Sequence, residues 1–149
     1  MAESTQSTHP TTASTNGSTH TVQHRTVTID GLEIFYREAG PAGAPLLALL
    51  HGFPAASHQY MTLIDRLSDQ FHLLAPDYPG FGYSSAPASS NAGGSFAYTF
   101  DHLADITEHW LRHLGATRFF MYVFDFGAPV GYRIASRHPD WIQGVIAQN

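Results

Sequence analysis

The stretch from Arg118 to His138, RFFMYVFDFGAPVGYRIASRH, limits the folds open to this chain more than any other. It opens with an unbroken apolar run, Phe119 to Phe124, short and rich in aromatics. Such a run suits a strand buried on both faces. One acid, Asp125, follows directly, and after Phe126 comes a turn of small residues, Gly127-Ala128-Pro129. Beyond it Val130, Tyr132, Ile134 and Ala135 lead to His138-Pro139. Pro129 fits the first turn of a helix, where its missing N–H is not needed, and Pro139 stops that helix. The segment predicts strand, sharp turn and helix, with one carboxylate at the junction.

Two readings of Asp125 follow from that position. Free N–H groups and the macrodipole stabilise negative charge at a helix N-terminus, so an acid there serves as an ordinary cap. Alternatively, a residue on a tight strand-to-helix turn, with glycine two positions on, matches the second half of a nucleophile elbow. The turn by itself leaves both open.

Two upstream motifs bear on the choice. The buried run Leu46 to Leu50 is followed by His51-Gly52-Phe53-Pro54. The run Phe71 to Ala75, closed by Pro76, is followed by Asp77-Tyr78-Pro79-Gly80-Phe81-Gly82-Tyr83-Ser84. H-G-x-P, then D-x-P-G-x-G-x-S, then an acid elbow: this order resembles the α/β-hydrolase superfamily. Within it the chain resembles the Asp-nucleophile branch of epoxide hydrolases and haloalkane dehalogenases. The resemblance extends from Val22 to Asn149. It implies that Asp125 is the nucleophile and that the backbone N–H groups of Phe53 and Phe126 form the oxyanion hole. It also implies structural roles around them for His51, Gly52, Pro54, Asp77 and Gly127. His51 would brace the oxyanion loop, and Asp77 would accept N–H groups of its own turn. Phe53 and Phe126 are expected at the pocket wall; Tyr78, Phe81 and Phe124 are expected mostly in the core.

The rest of the chain reads as an alternation of strands and helices. Val22 to Ile29 and Leu32 to Arg37 alternate in polarity around the turn Asp30-Gly31, which predicts an antiparallel hairpin. In its second strand Leu32, Ile34 and Tyr36 face one way and Glu33, Phe35 and Arg37 the other. Ser57 to Asp69 carries Tyr60, Leu63, Ile64 and Leu67 at helical spacing. Thr99 is a candidate N-cap for a helix bearing Leu103, Ile106, Trp110, Leu111 and Leu114, stopped at Gly115. A last strand runs from Ile142 to Ala147. The expected fold is α/β, the N-terminal half of an α/β-hydrolase core. It has a mostly parallel sheet opened by an antiparallel hairpin, with helices on both faces. His51, Asp77 and Asp125 each follow a strand, which puts them at the carboxyl edge where such sheets bind ligands. Residues 1–21 form a Ser/Thr-rich tail with too little apolar surface to fold, and residues 22–149 form the domain.

The implied chemistry is covalent. A carboxylate attacks an sp³ carbon bearing a strained epoxide oxygen or a halide and forms an alkyl–enzyme ester. Water then attacks the ester carbonyl, and N–H donors worth about 2.7–4 kcal/mol each stabilise the resulting oxyanion. The sequence departs from the branch in informative places. The usual Gly-His-Asp-Trp-Gly is Val123-Phe124-Asp125-Phe126-Gly127 here. Val123 stands where a glycine lets the turn pack closely. Phe126 replaces a tryptophan whose indole N–H helps bind halide, and Ala55 and Ala56 supply no amide. The chain is therefore expected to be epoxide-hydrolase-like, with a dehalogenase-like hydrolase as the alternative. With no serine at the elbow, a serine esterase is a poor fit.

The branch also needs a histidine base and a supporting acid. The tip of the last strand offers only Gln148 and Asn149, so base, acid and helical cap are expected beyond Asn149. On that expectation these residues are an incomplete, inactive portion of a longer hydrolase, or a non-catalytic remnant or binding module. The strand from Ile142 to Ala147 would then be an exposed apolar edge that favours aggregation.

Composition narrows the partners. A net charge of −5 without a basic cluster argues against nucleic acid. The chain has no cysteine, and His9, His20 and His24 are too scattered for a metal site. No apolar run is long enough to cross a bilayer, and the first residues lack the apolar core of a secretion signal. The expected partner is a small apolar organic substrate, with no cofactor or metal, in the cytoplasm.

Overall fold

The computed structural model describes residues 21–148. The expectation that Met1 to His20 lack fixed structure falls outside them. Six strands form one mixed sheet in the order β1-β2-β4-β3-β5-β6. Strands β1 (Gln23–Ile29) and β2 (Leu32–Ala39) make the predicted hairpin, with Asp30 and Gly31 both at positive φ in the turn. Strand β2 also runs antiparallel beside β4 (His72–Pro76). The remaining neighbours are parallel: β3 (Leu46–Leu50) with β4, β3 with β5 (Phe119–Phe124), and β5 with β6 (Ile142–Gln148).

Three helices cover the faces. The segment after β3 starts as a 3-10 turn, Ser57–Tyr60, and only then becomes α1, Met61–Leu67. It is shorter and less regular than the single helix expected from Ser57 to Asp69. Tyr60 and Ile64 pack there against Leu47, Leu49 and Leu73 on one side of the sheet. Helices α2 (Phe100–His113) and α3 (Gly127–Arg137) pack on the other, where Trp110, Leu111, Val130 and Ile134 meet Leu50, Met121 and Val123. Thr99 caps α2 as its position predicts, its hydroxyl accepting from His102 N at 3.2 Å. A row of charges crosses between the two helices. Arg133 bonds Asp101 at 2.6 Å, and Arg137 bonds Asp105 at 2.7 Å and Glu108 at 3.3 Å.

The chain leaves β3 toward β4 on one side and returns to β5 on the other. The carboxyl ends of β3 and β5 therefore flank a change of direction in strand order, where ligands of open α/β sheets bind. The alternation expected for β2 holds, and both of its faces are covered. Phe35 and Arg37 do face away from Ile34 and Tyr36, but they are buried too, at 8% and 7% exposure. Strand β2 lies inside the sheet between β1 and β4, and loops cover its second face.

Candidate active site

Strand β5 delivers Asp125 at the carboxyl edge, and α3 begins two residues later. Asp125 has φ 49, in the left-handed region, which costs a residue bearing a Cβ about 1–2 kcal/mol. Two glycines make room for it. A Cβ on Gly127 would lie 2.0 Å from the Leu50 carbonyl oxygen, and one on Gly52 would lie 2.5 Å from the Asp125 Cβ. The turn after β5 and the loop after β3 therefore interlock only if both residues lack side chains.

The carboxylate faces the amides named from the sequence. Phe126 N donates to Asp125 Oδ1 at 2.7 Å, and Phe53 N donates to the same oxygen at 2.8 Å. Asp125 is exposed, and among the described residues it joins no salt bridge. It is not the N-cap of α3 either; Phe126 holds that position, in helical conformation and without a side-chain cap bond. Pro54 follows Phe53 through a cis peptide bond at the exposed rim.

His51 and Asp77 lie beneath these groups, and each has 0% exposure. Tyr78 N donates to His51 Nε2 at 3.1 Å, so the ring proton sits on Nδ1, which lies 3.0 Å from the Gly52 carbonyl and donates to it. Burial lowers the His51 pKa, outweighing the Gly52 hydrogen bond and the Asp77 charge that raise it. Both ring nitrogens of this neutral histidine are thus engaged below the loop. Asp77 accepts from its own turn as expected and also reaches beyond it. Its Oδ2 accepts from Tyr83 N at 2.9 Å, six residues on, but its Oδ1 accepts from Ser57 N at 2.7 Å, across the molecule. Gly82 makes this possible, since a Cβ there would lie 2.0 Å from Asp77 Oδ2.

A family profile described as alpha/beta hydrolase fold matches residues 45–149. The chain belongs to this family. An uncharacterized hydrolase of Saccharomyces cerevisiae is 42% identical over 126 residues, which are 85% of this chain and 41% of that protein. A haloalkane dehalogenase of Mycolicibacterium paratuberculosis is 34% identical over 119 residues, covering 79% of this chain and 38% of the relative. Among solved structures, an epoxide hydrolase of Vigna radiata superposes with a TM-score of 0.75 at 29% identity, over 85% of this chain and 38% of that one. The chain thus spans about two fifths of the length of the relatives it matches.

In this member of the alpha/beta hydrolase fold family the aromatic side chains around the elbow form a wall. Phe53 is 60% exposed, so the expectation that it stands at the pocket wall holds, not a core position. Its ring lies 5.6 Å from that of Phe126 and 6.3 Å from that of Phe81. Phe126 in turn meets Phe100 edge-on at 4.9 Å. A cleft of about 570 Å³ runs along these four rings toward Leu103 and Arg133. Tyr78 is a core residue, whereas Phe81 and Phe124 are half-buried. Val123, which departs from the family's glycine, is fully buried against α3, and the compensation lies opposite: a Cβ on Gly131 would fall 2.8 Å from Val123 Cγ1.

Sequence reasoning missed Arg37, Ser57 and Phe100. Phe100 lies one residue past the N-cap and reads as an ordinary first-turn apolar residue. Arg37 follows Ile34-Phe35-Tyr36 but stands next to Glu38, so nothing local marked it as buried. Nothing local marked Ser57, whose partners come from β2 and from the turn after β4.

Proposed function

We propose that this α/β hydrolase uses Asp125 as a nucleophile against small apolar epoxides, through an alkyl–enzyme ester. One observation carries the reading: the amides of Phe53 and Phe126 converge on Asp125 Oδ1. With Oδ1 held, Oδ2 is the oxygen turned to attack. It forms a bond to the epoxide carbon as the carbon–oxygen bond of the ring breaks, and the released oxygen takes up a proton. Oδ1 becomes the ester carbonyl oxygen and already sits between its two donors. When water adds to that carbonyl, charge develops where the N–H groups point. Collapse breaks the Cγ–Oδ2 bond: Oδ2 leaves with the alkyl group and takes up a proton to complete the diol, and the oxygen of water replaces it in the restored Asp125 carboxylate. His51 is neutral and engaged on both nitrogens, so the reading does not assign it as the water-activating base. The aromatic wall supports an apolar substrate.

A dehalogenase-like reaction is the second reading, favoured by the 34% identity to a haloalkane dehalogenase. Against it stands Phe126, whose side chain has no N–H for a departing halide. Intact-mass and peptide analysis tests both readings. The chain is incubated with an alkyl epoxide and, separately, with a haloalkane. The expected result is an epoxide adduct on Asp125 that is absent from Asp125→Asn, without sustained diol formation. An adduct that persists in Asp125→Asn rejects the nucleophile assignment. Faster labelling by the haloalkane makes the second reading the better one. Sustained diol release would show that a base lies within the chain.

A further inference from the structure

We infer that Arg37 is a positioning residue for the Phe53 amide, acting through Ser57 and Asp77; this rests on the role proposed for that amide. Arg37 comes from β2, well removed in sequence from every motif around Asp125. Its guanidinium is buried, which is unfavourable unless hydrogen bonds and opposite charge compensate it. The compensation is not an ordinary ion pair. Arg37 Nη1 lies 4.0 Å from Asp77 Oδ1, and Nε has no partner among the described residues. A pair selected for strength would be bidentate and short. The close contact is instead from Arg37 Nη1 to Ser57 Oγ.

Ser57 is where the oxyanion loop ends. Its side chain is held by Arg37 from β2, and its N–H is held by Asp77 from the turn after β4. Four residues earlier, the Phe53 amide points at Asp125 Oδ1. The loop between is short and tightly turned, with Ala55 N bonded to the Gly52 carbonyl at 3.0 Å. Its other end is fixed by His51, locked to Tyr78 N. A rotation or shift of Ser57 therefore has little slack in which to dissipate before it reaches Phe53. Arg37 has a second effect: it places positive charge beside the buried Asp77 carboxylate, which accepts the N–H groups of both Ser57 and Tyr83. Without it, Asp77 retains a buried charge with a weaker reason to stay beneath the loop. Simple packing of Arg37 against Phe35, 5.1 Å away, would stabilise the sheet without affecting the amide.

The test separates these roles by hydrogen exchange of individual amides in Arg37→Met, Arg37→Lys and Ser57→Ala. Amides of Leu49 and Met121, on central strands, report the stability of the whole domain. In Arg37→Met, exchange at Phe53 should rise by about tenfold or more relative to those two amides. Ser57→Ala should act in the same direction, and Arg37→Lys should restore part of the protection. The rate constant for labelling Asp125 at saturating epoxide should fall in parallel, with little change in the concentration giving half-maximal rate. Unchanged relative exchange at Phe53 in folded Arg37→Met, or an equal rise at all three amides, overturns the proposal. If Arg37→Met does not fold, Ser57→Ala and Arg37→Lys decide by the same criterion. Exchange at Phe53 requires no reaction. An Arg37-dependent change there, with no Asp125 adduct even in the unaltered chain, supports the positioning role and rejects the nucleophile.

Discussion

The N–H of Phe53 and the carboxylate of Asp125 meet at 2.8 Å although 72 residues separate them. That bond ties the loop after β3 to the turn after β5. Gly52 stands at the contact, so Gly52→Ala is the most direct way to break it. The new Cβ would lie 2.5 Å from Asp125 Cβ and 3.0 Å from Oδ1, forcing the two segments apart. Epoxide labelling of Asp125 should slow on the order of 10²-fold, the scale of losing one oxyanion donor. Unfolding in urea should show a loss of about 1–3 kcal/mol from overpacking. Labelling at the unaltered rate would mean that the Phe53 amide does not orient the carboxylate.

Val123 and Gly131 should behave as a coupled pair. Gly131→Ala improves helix propensity by about 1 kcal/mol, yet its methyl would meet Val123 Cγ1 at 2.8 Å, Leu50 Cδ1 at 3.1 Å and Met121 Sδ at 3.2 Å. We expect a net destabilisation of about 1–2 kcal/mol, because packing a methyl into a full core outweighs the backbone gain. Adding Val123→Ala should relieve part of it, so the double variant should be more stable than the sum of the singles predicts. Strict additivity in a urea double-mutant cycle would show that the two residues do not compete for the same space.

His51 should make stability fall on the acid side of neutrality. Burial lowers its pKa from the usual 6.5, so the native state resists the proton that the unfolded chain accepts. Its contribution is then fully present above about pH 6.5 and is lost as pH falls through the lower native value. His51→Gln should flatten this part of the profile in urea unfolding. An unchanged slope between neutral pH and the carboxylate range would locate the pH dependence elsewhere.

Glu108 should add a second, more acidic step. Burial raises its pKa, but hydrogen bonds from His138, Arg137 and Arg112 outweigh that and leave it below the usual 4.5. The stabilisation is present above about pH 4.5 and disappears as pH drops through the lowered native value. Glu108→Gln should therefore reduce stability at neutral pH and show a shallower acid limb. A variant as stable as the parent at pH 7 would show that the cluster between α2 and α3 contributes nothing net.

What the sequence revealed, and what it hid, divides by range. Leu46–Leu50 is legible because near-complete burial leaves no polar residue in it; Phe119–Phe124 reads as an equally apolar run, but only one of its faces is fully buried, Phe120, Tyr122 and Phe124 being half-buried. The elbow is legible because the apolar run, Asp125 and Gly127-Ala128-Pro129 follow one another within a few residues, although what bars a side chain at Gly127 is the distant Leu50 carbonyl on β3. The burial of Arg37 was hidden because alternation assigns a face and does not say whether a distant loop covers it. The partner of Asp77 was hidden for the same reason: Ser57 N is 20 residues away, and no local spacing encodes the bond. The antiparallel pairing of β2 with β4 is likewise a property of the assembled sheet. No helix among the described residues is long and apolar enough to cross a membrane, in line with the apolar runs of the sequence.

The charges between α2 and α3 have a geometric consequence. Asp101 and Asp105 repeat every four residues on α2, and Arg133 and Arg137 repeat with the same interval on α3. Both pairs are offset by the same number of residues, so the helices run parallel with their turns in step. Sliding α3 by four residues, about 6 Å along its axis, would leave one aspartate or one arginine facing no opposite charge. Each exposed pair is individually weak, but together they act as a vernier that penalises every wrong axial setting. The quantity being set is the axial height of α3 against α2, and with it the height at which α3 leaves the elbow. A salt-laced surface thereby keeps the helix that begins at the elbow in step with its neighbour.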